Sequence, residues 1–459
     1  MASKKSEQDP AMMDPNARVD GLFAAIFAHA QKEIGDQLIF GANATEVSVG
    51  IPLPALCLEY LLYSTCWPLS RVATLVGQMA SGKTALGFEI SRWHHTYGGG
   101  SAYIDCEHKD ASHVRTGMYR HNPNLIARAA TVPCYLMEDA QKAITGLIKS
   151  VVKAAAEAGV PRTIPTAILL DSLVGNVPDS EAKDVAKNDG AAKKGHPISA
   201  LLITRYFRFI QKEMETNPIS LLATNHLRIG TDQMGNTIRT TPGGTSVPFF
   251  ETIEIEMKKL GGYDLATHGG LSTTLKMYKN CVGPAGRSIT ADLIWWWVDV
   301  RDSQTGELVL DEYGVPRRQQ HFAWDWDTAT IQMLRNIETH KPSLFTSIQN
   351  HACDLHFVGS ARKGDDAKVW SHALGIPESS PVIHREAGRI LHSNPAAMSR
   401  LRYQLDIMQM PAFQPGRDYR AALQAAQEEA QRRVESTAPQ TVDLLLPPAA
   451  GEPDPQQVV

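Results

Sequence analysis

Gly77-Gln78-Met79-Ala80-Ser81-Gly82-Lys83-Thr84 follows the pattern G-x-x-x-x-G-K-[ST], the signature of a phosphate-cradling loop. Ahead of it, Val72-Ala73-Thr74-Leu75-Val76 is apolar and β-branched, the composition of a buried strand. Behind it, Ala85 to Tyr97 has helix-forming composition and stops at Gly98-Gly99-Gly100. Strand, glycine loop and helix together are the context the motif requires. Glycines let backbone N–H groups converge on phosphate oxygens, and the helix N-terminus adds a favourable dipole. Lys83 then reaches the β- and γ-phosphates of a nucleotide, and Thr84 is placed for Mg2+.

The bulk composition narrows the classes. A length of 459 residues allows two or three domains with a large core. The net charge of −4 carries no global basic signature, so any nucleic-acid surface has to be local. Six cysteines stand far apart with no C-x-x-C pair, which argues against a zinc site or a disulfide framework and suits a reducing cytoplasm. Met1 to Glu7 leads into no apolar signal segment, and no run approaches membrane-spanning length. A soluble cytoplasmic protein with no membrane partner is expected.

Outward from the loop, residues 1–45 form an N-terminal segment. Its helix places Val19, Leu22, Phe23, Ile26, Phe27, Ala30 and Ile34 on one face, to pack on its own domain or dock on a neighbouring protomer. Residues 46–335 form the core. In it, Ser101–Asp105, Ala167–Leu170 and Ile219–Thr224 read as further buried strands separated by helices. That alternation predicts an α/β fold with a mainly parallel twisted sheet covered on both faces. Asn176 to Pro197 and Arg228 to Ser246 read as loops, the first mobile and polar, the second rich in Gly and Thr. From about Thr252 the pattern changes to hairpins, with Leu308–Leu310 as the return strand after Thr305-Gly306. Trp295-Trp296-Trp297 could be a nucleobase platform, but alternation along a strand favours core and interface packing. A small helical domain is expected over 342–410, and a helix with an acidic Pro-rich disordered tail over 411–459.

Ligands in parallel sheets sit at the carboxyl ends of the strands. Thr84, Glu107, Asp171 and His226 all fall just past such ends. Asp171, closing an apolar strand, is the acid for the Mg2+ site, with a helix cap as the plainer alternative. Glu107 is the candidate to polarise an attacking water; paired with Lys109 it would be an ordinary surface carboxylate. His226, or Asn225 beside it, is placed to hydrogen-bond a γ-phosphate oxygen. Lys183, Lys187, Lys193, Lys194, Arg228 and Arg239 lie in the two loops with glycine backbone, which fits sequence-independent phosphate contacts or merely solvated loops.

The ordered set Gly77–Thr84, Tyr103-Ile104-Asp105-Cys106-Glu107-His108, Leu169-Leu170-Asp171-Ser172 and Thr224-Asn225-His226 resembles the ATPase core of RecA-type recombinases. Thr241-Pro242-Gly243-Gly244-Thr245 stands where that family closes a DNA-binding loop. The Asn-His pair and the strand Leu275–Asn280 are more similar to phage UvsX-type homologues. The resemblance implies a RecA-like core in which Gly77, Gln78, Met79, Ala80, Ser81, Gly82, Lys83, Thr84, Asp171 and Ser172 bind ATP and Mg2+. It implies that Glu107 activates water, that His226 reports the γ-phosphate, and that Lys279 reaches the ATP site of the next protomer. Gly243 and Gly244, with the basic residues named above, would contact DNA. Cys281 stands where bacterial RecA carries a second lysine, and the adenine-stacking residues after Glu107 have no match in register.

The implied activity is a DNA-dependent ATPase that forms helical homo-oligomeric filaments on single-stranded DNA. It would promote pairing and strand exchange with double-stranded DNA, aided by a single-strand-binding protein or loading mediator, in the cytoplasm of a bacterial host if phage-encoded. The rivals are a hexameric RecA-fold helicase or ring ATPase, and a non-catalytic paralogue acting as mediator.

Overall fold

The computed structural model describes residues 48–437 apart from 110, 158–163, 188–197, 216, 232–236, 244–246, 265–267, 303 and 360–366. The expected N-terminal helix, Lys193, Lys194, Gly244 and the tail beyond 437 lie outside the described residues. Ser48–Leu423 is one compact unit.

Within it, β1 (Gly50–Pro52), α1 (Leu56–Leu62) and β2 (Cys66–Pro68) lead to β3 (Val72–Gly77) and α2 (Lys83–Thr96), which bracket the phosphate loop. There follow β4 (Gly100–Asp105), α3 (Ser112–Met118), β5 (Ala129–Pro133), α4 (Met137–Glu157), β6 (Thr166–Asp171), α5 (Asp179–Lys187), α6 (Ile198–Glu215) and β7 (Ile219–His226). Then come β8 (Arg228–Thr231), β9 (Thr237–Thr240), β10 (Ile253–Asp264), β11 (His268–Asn280), β12 (Ser288–Asp299), β13 (Arg318–Trp324) and α7 (Trp326–His340).

Among the described residues the main sheet has nine strands, in the order β13-β12-β11-β10-β3-β7-β6-β4-β5. From β10 to β5 every neighbouring pair is parallel, and β10 to β13 are antiparallel. β3 and β6 are buried at every position, as expected of strands with neighbours on both sides and helices on both faces. Alternation divides β6 between two layers. Ile168 and Leu170 join Ile144, Ile148, Phe207 and Ile210 of α4 and α6 in one core. Leu169 faces α2, where a Cβ on Gly87 would stand 2.7 Å from its side chain, so glycine lets the helix approach the sheet. Phe88 of α2 meets Tyr103 of β4 edge-on at 5.1 Å on that same side.

Several expectations are corrected. β5 is a further parallel strand at the sheet edge; it is only partly buried and so lacks a continuous apolar signal. The polar stretch after Asn176 is helical over Asp179–Lys187, where Lys183 pairs with Asp179 one turn earlier at 2.5 Å. The Gly- and Thr-rich loop after His226 contains the hairpin β8–β9. The strand returning from β12 is β13, not Leu308–Leu310, which forms isolated bridges to Arg301 and Pro316 instead of a ladder with β12. Two aspartate turns build this excursion: Asp302 accepts from the Gln304 and Thr305 amides, and Asp311 from those of Tyr313 and Val315. Trp295 and Trp296 pack on Phe322 and His321 of β13, and Trp297 is exposed.

The segment after α7 is mixed rather than helical. α8 (Pro342–His351) precedes an antiparallel sheet of β14 (His356–Val358), β15 (Lys368–Trp370) and β16 (Val382–Ile383), followed by α9 (His384–His392) and α10 (Pro395–Gln404). It is tied into the core. Arg402 forks onto buried Glu59 at 2.6 and 2.7 Å, and Arg385 grips Asp325 at 2.6 and 2.8 Å. Helix α11 (Tyr419–Thr437) starts with Tyr419 buried, its hydroxyl accepting from Ser70 at 3.0 Å.

Candidate functional site

The strand order β3-β7-β6-β4 brings four carboxyl ends side by side, and the phosphate loop leaves the first of them. Gly77 is required where it stands, because a Cβ there would lie 2.3 Å from the Met257 carbonyl of β10 and 2.8 Å from Ser81 Oγ. Gly82 has φ +88°, a left-handed conformation that favours glycine, and packs under the Trp324 ring. Ser81 Oγ donates to the Gln78 carbonyl at 2.8 Å, and Thr273 Oγ1 of β11 donates to the Ser81 carbonyl at 3.3 Å. The loop is thus pinned from within and from the antiparallel half of the sheet. Met79 projects from it, 78 % exposed.

Lys83 folds back over the loop, its Nζ donating to the carbonyls of Gly77 at 3.1 Å and Gln78 at 2.8 Å. Burial pushes its ammonium down to about 8; Asp171 opposes that shift and Lys109 adds to it. A buried cation whose hydrogen-bond partners among the described residues are backbone carbonyls is a ready receptor for phosphate oxygens.

Asp171 is the centre of the polar network. Its Oδ2 accepts from Thr84 Oγ1 at 2.7 Å and from the Tyr103 hydroxyl at 3.3 Å, and its Oδ1 accepts from Thr224 Oγ1. The three donors come from α2, β4 and β7, and they leave the carboxylate beside the first turn of α2. It is not a helix cap. Hydroxyl and carboxylate side by side are the hard oxygen donors that Mg2+ takes together with phosphate and water, so the residues fit that ion. Among the described residues no group of three His, Cys, Asp or Glu is placed to hold a metal by itself. Ser172, joined to Asp171 by a cis peptide, is buried.

Glu107 lies past the end of β4 and has two partners. Lys109 pairs with one carboxylate oxygen, as in the plainer reading, and His226 Nε2 lies 3.3 Å from the other. Burial lowers the His226 pKa, and repulsion from Lys83 and Lys109 lowers it further, with Asp171 opposing. Asn225, beside it, is buried; its Oδ1 accepts from the His226 amide and its Nδ2 donates to the Pro242 carbonyl, both at 2.9 Å. The end of β7 is therefore bonded both to the candidate base and to the Thr241-Pro242-Gly243 turn, where Gly243 has φ +107°.

The basic residues are placed less uniformly. Arg228 is exposed on β8, and Lys183 is exposed on α5 with Asp179 as its partner. Lys187 ends α5. Arg239 turns onto the sheet, against Glu254 and Glu256. Lys279 Nζ donates to the Glu251 carbonyl at 2.6 Å and to that of Pro248, within its own chain. Thr224, Thr273 and Trp324 went unassigned in the sequence. Thr224 directly precedes Asn225 and could have been picked out as a strand-end hydroxyl, whereas Thr273 and Trp324 give no local signal.

No family model matches the chain. Curated relatives are RecA proteins at low identity. That of Geobacter sulfurreducens is 22% identical over 344 residues, covering 73% of this chain and 94% of the relative. That of Chlorobium limicola is 26% identical over 324 residues, 69% of this chain and 83% of the relative. That of Rubrobacter xylanophilus is 23% identical over 298 residues, 63% and 78% respectively. The α/β architecture, with its large and mostly parallel nine-stranded sheet, is consistent with a RecA-like core. Fold and similarity together support a RecA-type recombinase.

Proposed function

We propose that the protein is a DNA-dependent ATPase of homologous recombination, one that forms filaments on single-stranded DNA and promotes pairing and strand exchange with double-stranded DNA. The observation that carries this reading is the end of β7. There His226 touches the candidate base Glu107 while Asn225 holds the turn that follows the β8–β9 hairpin. A change at the γ-phosphate thus has a bonded route to the segment proposed to meet DNA.

In this reading the loop amides and Lys83 hold the ATP phosphates. Thr84 and Asp171 would hold Mg2+, which supplies charge neutralisation at the phosphates. Glu107 takes a proton from the attacking water as its oxygen bonds to the γ-phosphorus and the bond to the β–γ bridging oxygen breaks, giving ADP and phosphate. His226 exchanges Glu107 for a γ-phosphate oxygen. Lys183, Lys187, Lys193, Lys194, Arg228 and the Gly243-Gly244 backbone neutralise DNA phosphates. Lys279 gives up its two backbone carbonyls to reach the next protomer's nucleotide. The Asn225-His226 pair supports a UvsX-like branch, acting in the cytoplasm of a phage host with a single-strand-binding or loading partner.

Electron microscopy with long single-stranded DNA and a slowly hydrolysed ATP analogue, with an ATPase assay alongside, tests this. Helical filaments and DNA-stimulated turnover are expected. Closed rings without DNA would sink the reading.

A further inference from the structure

The hairpin carries two arginines in opposite surroundings. β8 is exposed along its whole length, Arg228 included. Arg239, on β9, faces the sheet: its Nε donates to Glu256 Oε2 at 2.8 Å, its Nη2 donates to Glu254 Oε1, and its Cζ lies 3.8 Å from the centre of the Tyr278 ring. Glu254 and Glu256 project from β10 on one face, and Tyr278 comes from β11. The Glu254 side chain is 4 % exposed and that of Arg239 23 %.

This cradle engages the planar fork of the guanidinium at its edge and one of its faces. Pulling Arg239 out would strand Glu254 as a buried carboxylate without its cation. An exposed phosphate contact returns less than that costs. Arg239 therefore stays seated when nucleic acid arrives, and the outward strand β8 presents Arg228 instead. The cradle also reaches β11 next to Lys279, which pairs across the ladder with Glu254.

We propose that Arg239 is a positioning residue and not a nucleic-acid ligand: its Glu254–Glu256–Tyr278 cradle seats the hairpin on β10 and β11 with β8 outward, and couples that seating to the strand bearing Lys279. The functional part rests on the proposed DNA-dependent activity. The seating itself does not.

The test compares full-length wild type with Arg228→Gln, Arg239→Gln, Glu256→Gln and the Arg239→Gln/Glu256→Gln double variant. Single-stranded DNA affinity is measured against salt, and amide hydrogen exchange of the hairpin without DNA. Arg228→Gln is expected to reduce the salt slope by about 0.7, the loss of one phosphate contact. Arg239→Gln and Glu256→Gln are expected to keep the wild-type slope, weaken binding about tenfold, and speed exchange across the β8–β9 ladder. The double variant should bind no more weakly than Arg239→Gln alone, since both break one cradle. Glu256→Gln should lower the DNA-stimulated kcat while leaving the KM for ATP unchanged.

A slope reduced by Arg239→Gln as much as by Arg228→Gln would overturn the proposal. So would tighter binding by Glu256→Gln, the result expected if that carboxylate merely repelled DNA. If wild type binds no single-stranded DNA, the proposed function fails instead. Hydrogen exchange then decides the cradle alone, and an unchanged hairpin in Arg239→Gln overturns it.

Discussion

Raising the pH from 7 to 9 should weaken nucleotide binding about tenfold through one side chain, Lys83. An ordinary lysine titrates at about 10.4 and would stay charged across that range. Lys83 does not, because burial pushes its ammonium down to about 8 and Lys109 adds to the effect, with Asp171 only partly opposing. Its partners in the free protein are two loop carbonyls, which solvate the charge without neutralising it. With a pKa of about 8, the charged fraction falls from about 0.9 at pH 7 to about 0.1 at pH 9. If only the ammonium binds phosphate, Kd rises by that ratio, and a tenfold change is about 1.4 kcal/mol. The sign follows from linkage: phosphates raise the Lys83 pKa, so binding is fully supported below the free value and lost above it. At pH 9 each binding event should take up about 0.9 proton. Isothermal titration of a non-hydrolysable ATP analogue in two buffers of different ionisation enthalpy measures both quantities. Lys83→Arg, charged throughout, should flatten the profile at a lower affinity. A Kd unchanged between pH 7 and 9, with no proton uptake, would refute the assignment.

Glu107→Gln should lower the hydrolysis rate by about 10²- to 10⁴-fold while retaining nucleotide binding, as read by single-turnover kinetics beside equilibrium titration. Thr224→Val removes one donor from a buried carboxylate and should cost about 1.5–3 kcal/mol of stability, measured by chemical denaturation. Gly77→Ala forces a Cβ to 2.3 Å from the Met257 carbonyl and should abolish nucleotide binding and lower the melting temperature in a thermal scan. His94, fully buried between the Ile90 carbonyl and Ser220 Oγ, is pushed down to about 4 by desolvation. Its contribution to stability is present above pH 6.5 and lost as pH falls towards 4, up to about 3 kcal/mol. Denaturation midpoints in that window should flatten in His94→Gln.

The acidic and aromatic supports of the site illustrate how far a chain can be read by itself. The phosphate loop was legible because its signal is contiguous: glycines at fixed spacing, an apolar strand before and a helix after. Asp171 was legible for the same reason, as an acid closing an apolar run, and β3, β6 and β7 as runs buried on both faces. Once those strands are parallel, their carboxyl ends must lie together, so the sequence alone gathers Glu107, Asp171 and His226 with Thr84.

Other features depend on contacts distant in the chain. Helix α5 has a polar composition that resembles that of a loop, and β5 is an edge strand with only partial burial. The return to β13 skips two aspartate turns because register, not proximity in sequence, chooses the partner of β12. Trp324 under Gly82 and Thr273 on Ser81 come from strands about 190 to 240 residues further along, and local periodicity carries no such information. Arg239 is the sharpest case. By itself the sequence determined that a basic residue lies in a glycine-containing segment after the fourth strand. Only the tertiary structure decided that this guanidinium points inward, because the two carboxylates and the ring that hold it lie on strands formed after the segment has turned back.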